Sequence, residues 1–199
     1  FRQQRGGSMN ASKFFLKAAN SLITAVVALF LILAAAYSGY ALWDNAQVYA
    51  AVDDVQSELM KLKPDPEQKD GGASFEELRK INPDVCGWIT LDHTKIDYPI
   101  LQGEDNLTYI NTDVYGDFAL SGSIFLDSGC DNTFQGKYSL LYGHHMANHK
   151  MFGDLDLYRK KKFFDKNTTG TLILLDRSYK LEIFACMQVS ASEDSIFNS

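Results

Sequence analysis

His144 is the residue of this chain best suited to chemistry, because it directly follows an apolar segment in the order Tyr142-Gly143-His144. Residues 138–142 are mostly aromatic or aliphatic and lie between glycines, which is typical of a buried strand, and Gly143 allows a sharp turn at its end. Imidazole has the side-chain pKa nearest neutrality, so His144 at a sheet edge could act as an acid, a base or the charged partner of a thiolate. Two alternatives stay open, a core histidine bonded to a backbone carbonyl and a metal ligand.

Other chemistries have weaker support in the sequence. His145 and His149 have the i,i+4 spacing of a helical zinc pair, but no glutamate follows His145 and no third ligand is indicated. We therefore expect no metal and no other cofactor. The sequence contains no Gly-x-Ser-x-Gly elbow and no phosphate-binding glycine loop, which argues against serine hydrolases and nucleotide enzymes. A net charge of −6 without a basic stripe argues against a nucleic-acid partner.

An apolar segment near the amino end predicts a membrane anchor. Residues 18–42 carry no charged side chain, and about 20 such residues cross a ~30 Å hydrocarbon core as a helix. Basic residues precede this segment and acidic residues follow it: Arg2, Arg5, Lys13 and Lys17 before, and Asp44, Asp53 and Asp54 after. The positive-inside rule then predicts one pass through the cell membrane, a cytoplasmic amino end and an extracellular region after Trp43. A cleaved signal peptide is the alternative, with small residues at 34–36.

Composition shifts divide the chain into four predicted parts. These are a cytoplasmic tail at 1–17 with an expression-tag remnant at 1–8, a transmembrane helix at 18–42, an extracellular helix and linker at 43–73, and a globular domain at 74–199. Apolar residues at helical spacing predict that the helix continues outward through residues 44–63, and Pro64 ends it.

The region after residue 74 is predicted to be mainly β with peripheral helices, in a barrel. The predicted strands are Trp88 to Leu91, Lys95 to Leu101, Ser123 to Leu126, Tyr138 to Tyr142, Thr171 to Leu175 and Lys180 to Val189. The predicted short helices are a first one through about Ile81, then Leu107 to Ile110, Met151 to Tyr158 and Arg159 to Phe164.

Four ordered segments resemble the class B sortases, over about residues 75–199. They are residues 95–103, 105–110 and 121–127, followed by the Tyr-Gly-His order at 142–144. The resemblance implies a sortase-type β-barrel and a Gram-positive cysteine transpeptidase. Such an enzyme cleaves a sorting signal on secreted proteins and joins them to the cell wall or to pilin subunits. The implied partners are a sorting-signal peptide, an amine acceptor of peptidoglycan or pilin, and membrane lipid around the N-terminal helix.

The resemblance also implies roles for particular residues. His144 takes the position of the family's catalytic histidine, and Asn106 and Ile110 match residues that line the sorting-signal groove. The alternative for these two is that Asn106 caps a short helix and that Ile110 fills the core. Asp127 could orient His144, or it could cap a loop.

The chain departs from the family pattern at the nucleophile, which the family places in a Thr-x-x-Cys-like strand end, with an arginine on the next strand. Cys86 is expected ahead of the first strand, Cys130 in a loop and Cys186 in the core, so none of them matches. We therefore expect the domain to be incomplete at the C-terminus and inactive as given. The alternative is a non-catalytic, surface-displayed peptide-binding or assembly module that has lost the nucleophile.

Overall fold

A computed structural model describes the backbone of residues 5–67 and 72–190, and the side chains of residues 13–67 and 74–190. Residues 1–4 of the predicted tag remnant, 68–71 of the predicted linker and 191–199 of the predicted domain lie outside the described residues. The chain divides into two compact units, with the boundary between Gln47 and Val48.

The first unit consists of the apolar part of a long helix, α1, which extends from Arg5 to Met60. Within the described residues, one helix is long and apolar enough to span a membrane, and it covers Lys13–Met60. Large apolar side chains from Phe14 to Trp43 are exposed along it, as lipid contact would require. The predicted extension after the anchor is therefore helical, and it ends four residues before Pro64.

The second unit is built on a six-stranded sheet with helices around it, which confirms the predicted mainly β class. Its strands are β1 Val85–Leu91, β2 Asp97–Leu101, β3 Ile124–Leu126, β4 Leu141–Tyr142, β7 Thr169–Ile173 and β8 Ser178–Glu182. A separate hairpin is formed by β5 His145–Met146 and β6 Lys150–Met151. The short helices are α2 Gly72–Ile81, a first 3-10 helix Thr108–Ile110, a second 3-10 helix Gly153–Arg159, and α3 Lys161–Phe164.

The strand order of the sheet is β4-β3-β2-β1-β7-β8, so β4 and β8 are its two edges. All neighbouring strands are antiparallel except β2 and β3, which are parallel. A parallel pair cannot be joined by a tight turn, and the chain between β2 and β3 accordingly carries the first 3-10 helix. This connection includes both predicted groove residues, Asn106 and Ile110.

Apolar side chains pack on both faces of the sheet, because successive residues of a strand point in opposite directions. Ile124 and Leu126 of β3 belong to one buried cluster, whereas Phe125 between them belongs to the other. Strands buried on both faces have nearly continuous apolar sequences, which explains why the sequence pattern located them.

The end of α1 is fastened to the sheet by polar contacts as well as by buried Leu59. Just after the helix, the Lys63 ammonium lies 2.7 Å from an Asp97 carboxylate oxygen. Asp97 also accepts hydrogen bonds from Trp88 Nε1 at 2.6 Å and from Thr90 Oγ1 at 2.9 Å. Since Trp88 is fully buried, this carboxylate satisfies a donor that water cannot reach.

Two predictions about strands and two about cysteines were wrong in detail. The strand predicted from Tyr138 begins at Leu141, because its partner β3 is only three residues long. The strand predicted through Val189 ends at Glu182, and Cys186 is exposed instead of lying in the core. Cys86, expected ahead of the first strand, lies inside β1 and is buried.

Candidate functional site

His144 lies two residues beyond β4, at the edge of the sheet. Gly143 before it is in close contact with the core, since a Cβ atom added there would lie 2.8 Å from Phe152 Cδ2 and closer still to Ile124 Cδ1. Only glycine fits this place without displacing buried atoms, which explains the order Tyr-Gly-His physically. The His144 carbonyl oxygen accepts a hydrogen bond from the Phe152 backbone N–H at 2.9 Å, which fixes the backbone of His144 itself.

The His144 side chain is half-buried and reaches the loop between β2 and β3. Its Nε2 atom lies 2.8 Å from the backbone carbonyl oxygen of Ile110. A carbonyl oxygen can only accept, so Nε2 is the donor in this bond. The bond is the one that the core-histidine alternative predicts, although the ring is only half-buried, and it joins two predicted site residues that are 34 positions apart.

Asn106 joins this loop to the segment that follows β3. Its Nδ2 atom donates to an Asp127 carboxylate oxygen at 2.7 Å, and its Oδ1 atom accepts from the Ser128 N–H at 2.7 Å. The helix-capping alternative for Asn106 is wrong, because Asp105 Oδ1 accepts the hydrogen bonds from the N–H groups of Leu107 and Thr108. The Ile110 side chain is half-buried and packs against the core cluster that contains Phe125.

Asp127 connects Asn106 to the strand that carries the histidine. Its carboxylate accepts a hydrogen bond from the Tyr142 hydroxyl at 3.0 Å and another from the Gly129 N–H at 2.9 Å. Burial would raise the pKa of this carboxyl, but the donors from Gly129, Tyr142 and Asn106 outweigh burial and hold the pKa below its usual value. The contacts of Asp127 thus match the loop-capping alternative, since it bonds Tyr142 and Asn106 while His144 bonds Ile110.

These contacts bring the three predicted site residues together. Asn106 is bonded to Asp127, Asp127 to Tyr142, and His144 two residues later returns to Ile110 of the same loop. Two loops and an edge strand are thereby held as one unit beside the imidazole. Such an arrangement can present an imidazole to a peptide lying along the edge of the sheet.

One supporting residue was missed by the sequence analysis. Gln102, directly after β2, donates through Nε2 to the backbone carbonyl oxygens of Asp127 and Cys130, each at 2.8 Å. These two bonds hold the loop that carries Asp127 against the end of β2. A polar residue after a buried strand was the only available signal, and that signal is common to most strand ends.

The three cysteines differ in their surroundings. Burial is the main cause that raises the pKa of the Cys86 thiol to about 12, so this thiol is neutral at pH 7 and is not a nucleophile. Cys130 is half-buried in the loop after β3, as predicted. Cys186 is exposed, and its Sγ atom lies 3.8 Å from the carbonyl oxygen of Leu155.

The helical zinc pair suggested by spacing does not form, since His145 and His149 lie in the β5–β6 hairpin. His145 is exposed and lies 2.9 Å from an Asp156 carboxylate oxygen, and His149 is paired with buried Asp154. Among the residues that the structure describes, no group of three His, Cys, Asp or Glu side chains is placed to hold a metal ion.

Comparison with known proteins identifies two curated relatives, both named sortase B. Sortase B of Staphylococcus aureus is 34% identical over 122 residues, which are 61% of this chain and 50% of that protein. Sortase B of Listeria monocytogenes is 33% identical over 156 residues, which are 76% of this chain and 62% of that protein. The matches thus span between half and two thirds of the length of these curated relatives. No protein-family model matches the sequence.

A solved structure agrees with the sequence relatives. The crystal structure of a Streptococcus pyogenes class B sortase involved in pilus biogenesis is 45% identical, with a TM-score of 0.58. The match covers 64% of this chain and 76% of that one. The predicted sortase-type fold is therefore confirmed.

Proposed function

Because this chain belongs to the class B sortases, we propose that the protein is a membrane-anchored cysteine transpeptidase that attaches secreted proteins to the cell envelope. It cleaves a sorting signal and joins the new carboxyl end to an amine of peptidoglycan or of a pilin subunit. The observation that carries this proposal is the His144 imidazole, held at the edge of the sheet by the Ile110 carbonyl. The Streptococcus pyogenes relative involved in pilus biogenesis supports the pilin acceptor.

In this reaction His144 acts as the general acid that protonates the departing amine. Its half-buried position supports this role, because partial burial excludes most water while leaving one face open to a peptide. The neighbouring His145 is exposed and paired with Asp156, so it serves no step of the reaction.

Asn106 and Ile110 belong to the groove that receives the sorting-signal peptide. Both amide atoms of Asn106 are engaged, by Asp127 and by Ser128, so its contribution is to fix the shape of the loop. The half-buried Ile110 side chain supplies an apolar contact. We expect Asn106→Ala to weaken peptide binding by loosening the loop, and Ile110→Ala by removing apolar surface.

The attacking thiolate and its arginine partner are not among the residues described above. Cys86 is buried and neutral, whereas Cys130 and Cys186 lie outside the Thr-x-x-Cys context of the family. We expect the 199-residue chain to show no transpeptidation. If it binds sorting-signal peptides all the same, the alternative of a non-catalytic binding or assembly module gains support.

The α1 helix anchors the protein in the cell membrane, with the amino end in the cytoplasm and the sheet outside. Basic residues before the apolar segment and acidic residues after it support this orientation. Protease added to intact spheroplasts should remove the region after Trp43. Protection of that region, with cleavage only after lysis, would reverse the proposed orientation.

The proposed activity is tested with the full-length protein as its gene encodes it. Cleavage of fluorogenic sorting-signal peptides is measured for this protein and for two variants, His144→Ala and His145→Ala. General acid–base groups contribute roughly 10²- to 10⁴-fold, so the first variant should lose activity by that factor, and the second should keep most of it. Equal activity of the two variants would refute the role of His144.

A further inference from the structure

The first 3-10 helix leaves two backbone carbonyls at its end that need donors. Carbonyl groups at the end of a helix have no partner within it. The Tyr109 carbonyl oxygen accepts from the Ser123 N–H at 3.0 Å, and the Ile110 carbonyl oxygen accepts from His144 Nε2 at 2.8 Å. The imidazole thus donates to the Ile110 carbonyl as the Ser123 N–H donates to the Tyr109 carbonyl.

This contact determines which nitrogen of His144 carries the hydrogen when the ring is neutral. A neutral imidazole has one N–H group, and the carbonyl oxygen of Ile110 requires it on Nε2. Nδ1 is then the unprotonated nitrogen of the neutral ring. When the ring is charged, both nitrogens carry hydrogen, and only the proton on Nδ1 can leave without breaking the bond to Ile110.

Gly122 allows the Ile110 carbonyl to occupy this position. Gly122 is buried and has a φ of +54°, a left-handed conformation that side chains other than glycine rarely adopt. A Cβ atom added there would lie 2.5 Å from the Tyr109 carbonyl oxygen and closer still to that of Ile110. Any larger residue would therefore displace the carbonyl that holds the imidazole.

We propose that His144 gives and takes its catalytic proton at Nδ1, with Nε2–H fixed by the Ile110 carbonyl, and that Gly122 is the positioning residue for this contact. The catalytic part of this inference rests on the proposed function. As the C–N bond of the sorting signal breaks, the acyl carbon stays bonded to the attacking cysteine sulfur as a thioester, and the Nδ1–H proton passes to the departing amine nitrogen. A neutral imidazole with hydrogen on Nε2 remains.

The test is the tautomer of His144 in the 199-residue chain, measured in detergent micelles without substrate. Long-range ¹H–¹⁵N correlation spectra of ¹⁵N-histidine-labelled protein distinguish protonated from unprotonated ring nitrogens, and His144→Gln assigns one signal among the four histidines. At a pH where the ring is neutral, we expect a protonated Nε2 and an unprotonated Nδ1. The opposite tautomer, or a mixture of both, would overturn the proposal.

The role of Gly122 is tested by Gly122→Ala with Gly116→Ala as the matched control. Gly116 also has a left-handed φ, +86°, but an added Cβ would meet open space. Both variants thus carry the same kind of backbone strain, and only the first displaces the Ile110 carbonyl. We expect a mixture of His144 tautomers in Gly122→Ala and the wild-type tautomer in Gly116→Ala.

A folded Gly122→Ala protein with the wild-type tautomer would refute the positioning role. Because the spectra are recorded without substrate, they are independent of turnover. A fixed Nε2–H tautomer in a full-length gene product that cleaves no peptide would contradict the proposed function and leave the assignment of the tautomer in place.

Discussion

Replacing Gly143 by alanine tests whether the position of His144 depends on close packing behind it. The new methyl group would lie 2.8 Å from Phe152 Cδ2 and nearer still to Ile124 Cδ1, whereas carbon atoms normally approach to about 3.5–4.0 Å. Ile124 is only 1% exposed, so its Cδ1 atom cannot move out into solvent. We expect the strand end and the histidine to shift.

The size of the effect follows from two opposing contributions. Overpacking of a core costs about 1–3 kcal/mol, and this contact lies at the upper end because both neighbours are closer than contact distance. Alanine also lowers the conformational entropy of the unfolded chain, which stabilises the folded state by about 0.4–1 kcal/mol. A net loss of about 1–2.5 kcal/mol lowers the unfolding midpoint of a domain of this size by about 2–10 °C.

The assay is thermal unfolding of the full chain in detergent, with Gly136→Ala as the control. An added Cβ at Gly136 would lie 3.5 Å from its nearest neighbour, an ordinary contact, so this variant should match the wild type or exceed it slightly. Ile124→Val removes the Cδ1 atom that the new methyl group meets. The double variant Gly143→Ala, Ile124→Val should therefore be more stable than the sum of the two single effects. Additive effects, or a midpoint for Gly143→Ala equal to that of Gly136→Ala, would refute the packing argument.

Two further predictions concern charge and thiol reactivity. Because the folded-state pKa of Asp127 lies below its ordinary value of 3.8, its ionised form stabilises the fold fully above that value. This stabilisation is lost as pH falls through the folded-state pKa. The difference in unfolding free energy between wild type and Asp127→Asn should therefore shrink in acid, and a constant difference in denaturant titrations would contradict the role of its charge. Cys186 should react with a thiol reagent in native protein and Cys86 only after denaturation, as mass spectrometry of labelled peptides can show; native labelling of Cys86 would contradict its burial.

The strands were predictable from sequence where both faces of the sheet are covered. β1, β2 and β3 have apolar residues at most positions, and each was located to within about three residues. β7 was located within two residues from its apolar end, Leu172 and Ile173. The edges were less predictable, because an edge strand has one neighbour and its length depends on that neighbour. β4 is two residues long for this reason, although the sequence before it is just as apolar.

The contacts of the candidate site were not predictable from the sequence. The resemblance selected His144, Asn106 and Ile110, and the structure bonds His144 to the Ile110 carbonyl and Asn106 to Asp127. The bond between His144 and Ile110 joins residues 34 positions apart, and no local pattern reports such a pairing. The bonds that Asp105 accepts from the N–H groups of Leu107 and Thr108 were also hidden, because neighbouring Asp and Asn have the same preference for helix starts.

The contacts that orient His144 come from a limited part of the chain. Gly143 and Phe152 hold its backbone, and the Ile110 carbonyl, set by Gly122, holds its ring. A catalytic group is effective when its own surroundings fix its geometry before the substrate arrives. Among the described residues no thiol takes part in these contacts, so the orientation of the His144 ring is set by Gly143, Phe152 and the Ile110 carbonyl alone.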